Sequence, residues 1–115
     1  MKKIITLKKN YEFKRVFSRG KYVNGEYLCI YVLKNGLSIN KIGIAVSHKV
    51  GKAVKRNKIK RLIRENYRQI KDKLPKGYNF VIVWKNNVKI EKATYVGIER
   101  DMKIIFEKVK MIWRE

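Results

Sequence analysis

Cysteine, histidine and acidic residues are scarce in this chain, and each shortage removes a class of function. The single cysteine, Cys29, excludes an internal disulfide and suits a reducing compartment. The single histidine, His48, stands beside Lys49 in an expected loop and reads as a solvated residue or an extra cation. Nine Asp and Glu are scattered so that no two lie three or four apart; the closest, Glu99 and Asp101, would point to different sides of a helix. Cys29 lies within an expected strand and has no identifiable base. A protein nuclease needs a metal site, a general base, or both, and neither is evident here. Long apolar runs are missing too. The longest is Tyr27 to Leu33, and the N-terminus offers only Ile4-Ile5, so neither a spanning helix nor a signal segment is expected. A cytoplasmic protein without a membrane partner is the resulting expectation.

Cations, by contrast, are abundant. Thirty Lys and Arg among 115 residues leave a formal charge of +21, while 45% hydrophobic and 11% aromatic content argue for a folded core. The length fits one domain, residues 1–115, burying roughly two thirds of its unfolded surface. The basic residues run from Lys2 to Arg114, so the charge belongs to the folded surface and calls for a large polyanion.

The patterning predicts a mixture of helices and strands. Asn10 to Gly20 reads as a short helix with Asn10 as cap, Gly20 in a left-handed terminal position, and Phe13, Val16 and Phe17 on one face. Glu26 to Leu33 suits a central strand and Lys41 to Ser47 a second, with a hairpin as the simplest connection between them. Lys21 to Val23 is available as one strand more. A basic helix follows, ended by Pro75 and Gly77, and Tyr78 to Trp84 is a nearly continuous apolar strand. This strand, helix, strand order implies a crossover unit on a mixed sheet. Lys85-Asn86-Asn87 is a turn, and Thr94 caps a last helix whose Tyr95, Ile98, Met102, Ile105, Phe106, Val109 and Ile112 form a core stripe.

The stretch Gly51 to Leu74 carries the sharpest signal. Between Lys52 and Lys73 stand ten basic residues against two acids, Glu65 and Asp72. Helical spacing places Ile59, Leu62, Ile63, Tyr67, Ile70 and Leu74 in one apolar band and Asn57, Lys60, Arg61, Arg64, Arg68 and Lys71 opposite. Val54 falls outside the apolar band, so the regular helix is expected to begin near Asn57. Like charges such as Lys60 with Arg64 and Arg64 with Arg68 cost a few tenths of a kcal/mol each in isolation. A phosphate backbone removes that repulsion and releases counterions. The helix's N-terminal end adds exposed amides, so Gly51 to Asn57 is where phosphates should sit closest. Asn57 is either a local cap or a contact to a phosphate, a 2′-hydroxyl or a base edge.

Preceded by the strand Lys41 to Ser47, the segment Gly51 to Arg68 closely resembles the signature of the bacterial ribonuclease P protein subunit. Leu7 to Lys21 followed by Tyr27 to Leu33 resembles that family's opening helix and first long strand, so the likeness covers most of the chain. One departure is Lys58, where the family usually has Arg after the Arg-Asn pair; the charge is kept and the bidentate fork is lost. The resemblance implies an α/β sandwich: a small mixed sheet of three to four strands with about three helices and an unusual left-handed crossover through the basic helix. It implies binding to the catalytic RNA of ribonuclease P and help in removing the 5′ leader of precursor tRNA. The matching RNA-facing positions are Lys52, Lys55, Arg56, Asn57, Lys58, Lys60, Arg61 and Arg64, with Arg68 next on the same face. The matching leader-binding positions are Phe13, Phe17 and Tyr31, although Phe13 and Phe17 also read simply as core. The resemblance further implies that Mg²⁺ serves the RNA-containing holoenzyme, that the protein itself binds no cofactor and is inactive alone, and that no protein partner is required. A small basic ribosomal protein is the chief alternative. A DNA-binding module follows it, but no two-helix reading unit or dimer interface is evident.

Overall fold

The computed structural model describes the backbone of residues 4–113 and side chains through Met111. Helix α1 spans Asn10–Arg19, and strands β1 (Lys21–Asn24), β2 (Leu28–Lys34) and β3 (Lys41–Ala45) follow. Helix α2 covers Ala53–Ile70, β4 Tyr78–Trp84 and α3 Tyr95–Trp113. The strands form one mixed sheet in the order β1-β2-β4-β3, antiparallel except for the parallel β3–β4 pair.

The expected hairpin between the second and third strands does not exist, because β4 lies between them. The physical reason is apolar content: β2 and β4 are hydrophobic on both faces and so take the centre, leaving shorter β1 and β3 at the edges. Lys21–Asn24 supplies the additional strand, paired with β2. The N-terminal segment partly covers the outer edge of β3, with the Leu7 amide donating to the Ile42 carbonyl and the Ile42 amide donating to the Ile5 carbonyl, both at 2.9 Å.

Helices α2 and α3 cover one face of the sheet. Leu28, Ile30, Ile42, Phe80, Ile82 and Trp84 interlock there with Ile59, Ile63, Ile98, Met102 and Ile105. Helix α1 lies on the other face, over Val81 and beside Tyr31 and Leu33. The predicted α3 stripe is buried or half-buried from Tyr95 to Val109; the Ile112 side chain lies outside the described residues. Thr94 does cap α3, its hydroxyl oxygen accepting from the Gly97 amide at 3.0 Å.

Three local expectations are corrected. Asn10 is the first helical residue and not the cap; the Glu12 carboxylate instead accepts from the Lys8 and Lys9 amides, each at 3.1 Å. A carboxylate is the stronger acceptor beside a helix's positive end. Gly20 is extended, with φ −76°, and its lack of a side chain serves close approach: a Cβ there would lie 2.6 Å from the Val16 carbonyl oxygen and 2.9 Å from that of Val32. Helix α2 begins at Ala53, four residues before Asn57, with the Arg56 amide already bonded to the Lys52 carbonyl at 3.0 Å. Val54 is simply left 82% exposed in the first turn.

Candidate RNA interface

The apolar band of α2 seats the helix on the sheet, with Ile59, Leu62, Ile63 and Tyr67 buried. Its remaining side therefore faces outward. Lys52, Lys55, Asn57, Lys58 and Arg61 are exposed, and Arg56, Lys60, Arg64 and Arg68 are half-buried. Arg56 donates to the Gly51 carbonyl at 2.8 Å, which fixes the turn ahead of the helix. Neither a side-chain cap nor an acid occupies the first turn of α2, so no anionic side chain of that turn neutralises its amides. Arg61 meets Glu65 at 3.8 Å in an exposed pair that contributes little to stability. The Nε of Arg68 is shielded from solvent and has no acceptor.

The leader-binding candidates sit on α1 and the sheet face below it. Phe13 lies over Gly43, where any added side chain would collide with its ring. Phe17 is 42% exposed and meets Tyr31 edge-on, the ring centres 4.9 Å apart at 84°. Tyr31 is half-buried, and burial lifts its phenol above the ordinary 10, so the ring stays neutral. Phe13 is thus mainly a packing residue, whereas Phe17 keeps much of its ring accessible.

The two groups meet around the outer edge of β3. Phe13, Thr6, Leu7, Ile42, Gly43, Ile44, Lys60 and Arg64 line one recess of about 210 Å³. The recess therefore sets Lys60 and Arg64 of α2 beside Phe13 of α1, although the two helices cover opposite faces of the sheet. Sequence spacing could not reveal this, because the junction depends on β3 being an edge strand.

Among the described residues, no three His, Cys, Asp or Glu converge as a metal site. His48 is exposed in a short 3₁₀ turn, and Cys29 is a buried thiol whose pKa burial pushes up, opposed by Lys85 and a hydrogen bond with Tyr31. Asp101, which the sequence presents as one scattered acid, is buried and accepts from the amides of Glu26, Tyr27 and Leu28 at 2.7, 3.0 and 2.8 Å. Its role is to tie α3 to the start of β2. Asn66, also buried, likewise joins two helices by donating to the Leu62 and Tyr95 carbonyls.

Comparison with known proteins agrees with this geometry. A family model described as Ribonuclease P matches residues 1–110. The ribonuclease P protein component of Natranaerobius thermophilus is 37% identical over 112 residues, covering 97% of this chain and 96% of the relative. The solved RNase P protein of Staphylococcus aureus superposes with a TM-score of 0.82 at 29% identity, covering 94% of this chain and 97% of that one. A mutant of the S. aureus protein with defective mRNA degradation activity superposes at 0.81, again at 29% identity, covering 91% and 87%. On sequence and fold together, the chain belongs to the ribonuclease P protein family.

Proposed function

We propose that this chain is the protein subunit of a cytoplasmic ribonuclease P ribonucleoprotein that matures the 5′ end of tRNA. Its α2 side chains, Lys52, Lys55, Arg56, Asn57, Lys58, Lys60, Arg61, Arg64 and Arg68, dock on the catalytic RNA. Phe17 and Tyr31, with Phe13 one turn earlier on α1, receive the single-stranded leader of the precursor. Aromatic faces stack on unpaired bases at about 1 to 3 kcal/mol per base without demanding a sequence, which suits leaders that differ between tRNAs.

The observation that carries this reading is the recess at β3, which joins cations from α2 to an aromatic residue from α1 in one surface. One RNA can then be held on the basic side while another reaches the rings. No three His, Cys, Asp or Glu converge among the described residues, and in this reading RNA holds the Mg²⁺ of the holoenzyme and carries the hydrolysis. The protein's part is to lower the repulsion between two polyanions and to hold the leader, which raises substrate affinity and eases the metal requirement. No protein partner is needed for this.

The test is cleavage of precursor tRNA by the RNA subunit at low Mg²⁺, with and without the protein. Marked enhancement is expected; no enhancement would sink the proposal. Because mRNA degradation is attached to the S. aureus relative, the RNA-free protein is assayed alongside on both precursor tRNA and mRNA. Inactivity on both is expected, and cleavage by the protein alone would overturn the division of labour. A ribosomal protein would instead follow ribosomal subunits in sedimentation and leave precursor processing unchanged.

A further inference from the structure

Beyond the three aromatic positions already placed, β1 contributes a fourth ring. Tyr22 stands directly opposite Tyr31 in the β1–β2 register, so both side chains leave the sheet on the face that α1 only partly covers. Their ring centres are 5.4 Å apart with planes 35° apart, while Phe17 meets Tyr31 edge-on at 4.9 Å. Tyr22 is 59% exposed, more than Phe17, and sits on the outermost strand of the sheet. A cross-strand aromatic pair stabilises a sheet, but that role asks only for contact with Tyr31 and does not require an open ring. On the Phe17 side the platform borders a shallow hollow formed with Tyr11, Lys14, Arg15, Ser18 and Arg19, which sets cations beside the rings. Open rings flanked by cations are what a sequence-tolerant grip on single-stranded nucleic acid requires.

We infer that Tyr22 is an additional stacking residue for an unpaired base of the RNA leader, lengthening the aromatic floor from Phe17 and Tyr31 out to the β1 edge. This rests on the leader-binding reading above. The position was invisible in the sequence because Lys21–Asn24 is a four-residue strand whose facing partner is fixed only by the register with β2.

The experiment measures equilibrium affinity of the reconstituted holoenzyme for precursor tRNA carrying a multi-nucleotide leader, and for the same tRNA without one. Tyr22→Ala should weaken the leader-bearing substrate about tenfold, the lower part of the stacking range. The leaderless tRNA should bind as it does to the unmodified holoenzyme. Tyr22→Leu, which keeps an apolar side chain against Tyr31 but removes the ring face, should lose as much as Ala; Tyr22→Phe should retain the affinity. Full affinity in Tyr22→Ala or Tyr22→Leu, with loss in Phe17→Ala and Tyr31→Ala, would overturn this inference while leaving the leader reading intact. Equal loss with and without the leader would assign the ring to folding or to RNA docking, and overturn it as well. If none of Phe17, Tyr22 and Tyr31 affects leader binding, the leader reading falls and this inference goes with it.

Discussion

On one face of the sheet Leu28, Ile30, Phe80, Ile82 and Trp84 are fully covered by α2 and α3, whereas on the other Tyr31 and Val83 stay partly open beside α1. The covered face is aliphatic and aromatic in tight contact and carries the stability. The half-covered face holds rings that touch one another and retain accessible surface. A small domain has limited apolar area to bury, and here the burial is concentrated where two helices can close over it. In the proposed function, recognition falls to the face that the single short helix leaves incomplete, together with the outward side of α2.

The contrast can be broken at Phe80 and Phe17, which belong to opposite faces. Phe80→Ala should cost about 3 to 5 kcal/mol in denaturant unfolding, because the ring is fully buried between sheet and helices. Phe17→Ala should cost about 1 kcal/mol in stability, given its exposure, and show its larger effect in leader affinity. Comparable stability losses at the two sites would show that the faces are not divided in this way.

Asp101 sharpens the same comparison on the covered side. Its carboxylate accepts three backbone amides at the start of β2, and Gly25 gives it room, since a Cβ there would lie 2.5 Å from its Oδ1. Asp101→Ala leaves those amides without their acceptor and should cost about 3 kcal/mol by thermal or denaturant unfolding. RNA affinity per folded molecule should be unchanged. A loss in affinity greater than the unfolded fraction explains would make Asp101 part of the interface.

The outward side of α2 should behave in the opposite way. Arg61→Ala and Arg64→Ala should change stability by no more than about 0.5 kcal/mol, since neither is fully buried and the Arg61–Glu65 pair is solvent-screened. Each should weaken binding to the catalytic RNA and reduce the slope of log affinity against log salt by about one unit per lost phosphate contact. An unchanged slope removes that residue from the interface.

Much of this division was legible from residue order. Helical spacing separated the apolar and basic sides of α2, a run apolar on both faces marked β2 as a central strand, and a nearly continuous apolar run marked β4 as a strand. Strand order was not legible, because β4 enters between β2 and β3 from more than thirty residues downstream and local pattern carries no information on long-range pairing. Helix α2 starts four residues before the spacing predicts, because Val54, an isolated apolar residue outside the band, costs little on the surface. Of the site, the cations were legible as a set. The recess that joins Lys60 and Arg64 to Phe13 needed the edge position of β3, and the outer ring at Tyr22 needed the β1–β2 register.

The smallest effect tests the anchoring of α1, the element that defines the open face. Glu12 accepts from the Lys9 and Lys8 amides, and these bonds, opposed by partial burial and aided by nearby Lys41 and Arg15, hold its carboxyl below the ordinary 4.5. A depressed folded-state pKa means that the ionised form favours the folded chain. Its contribution is therefore complete above about pH 5 and is lost as the pH falls through the folded value, below 4.5. Glu12→Gln removes the charge at every pH, so at neutral pH it should lower stability by about 0.5 to 1 kcal/mol, the usual range for a charge at a helix N-terminus. The gap between the two melting curves should narrow as pH drops from 5 to 3, because protonation makes the native side chain as neutral as its replacement. A gap that stays constant to pH 3 would mean that Glu12 acts through packing or neutral hydrogen bonding, and that α1 is held over the open face by its apolar contacts alone.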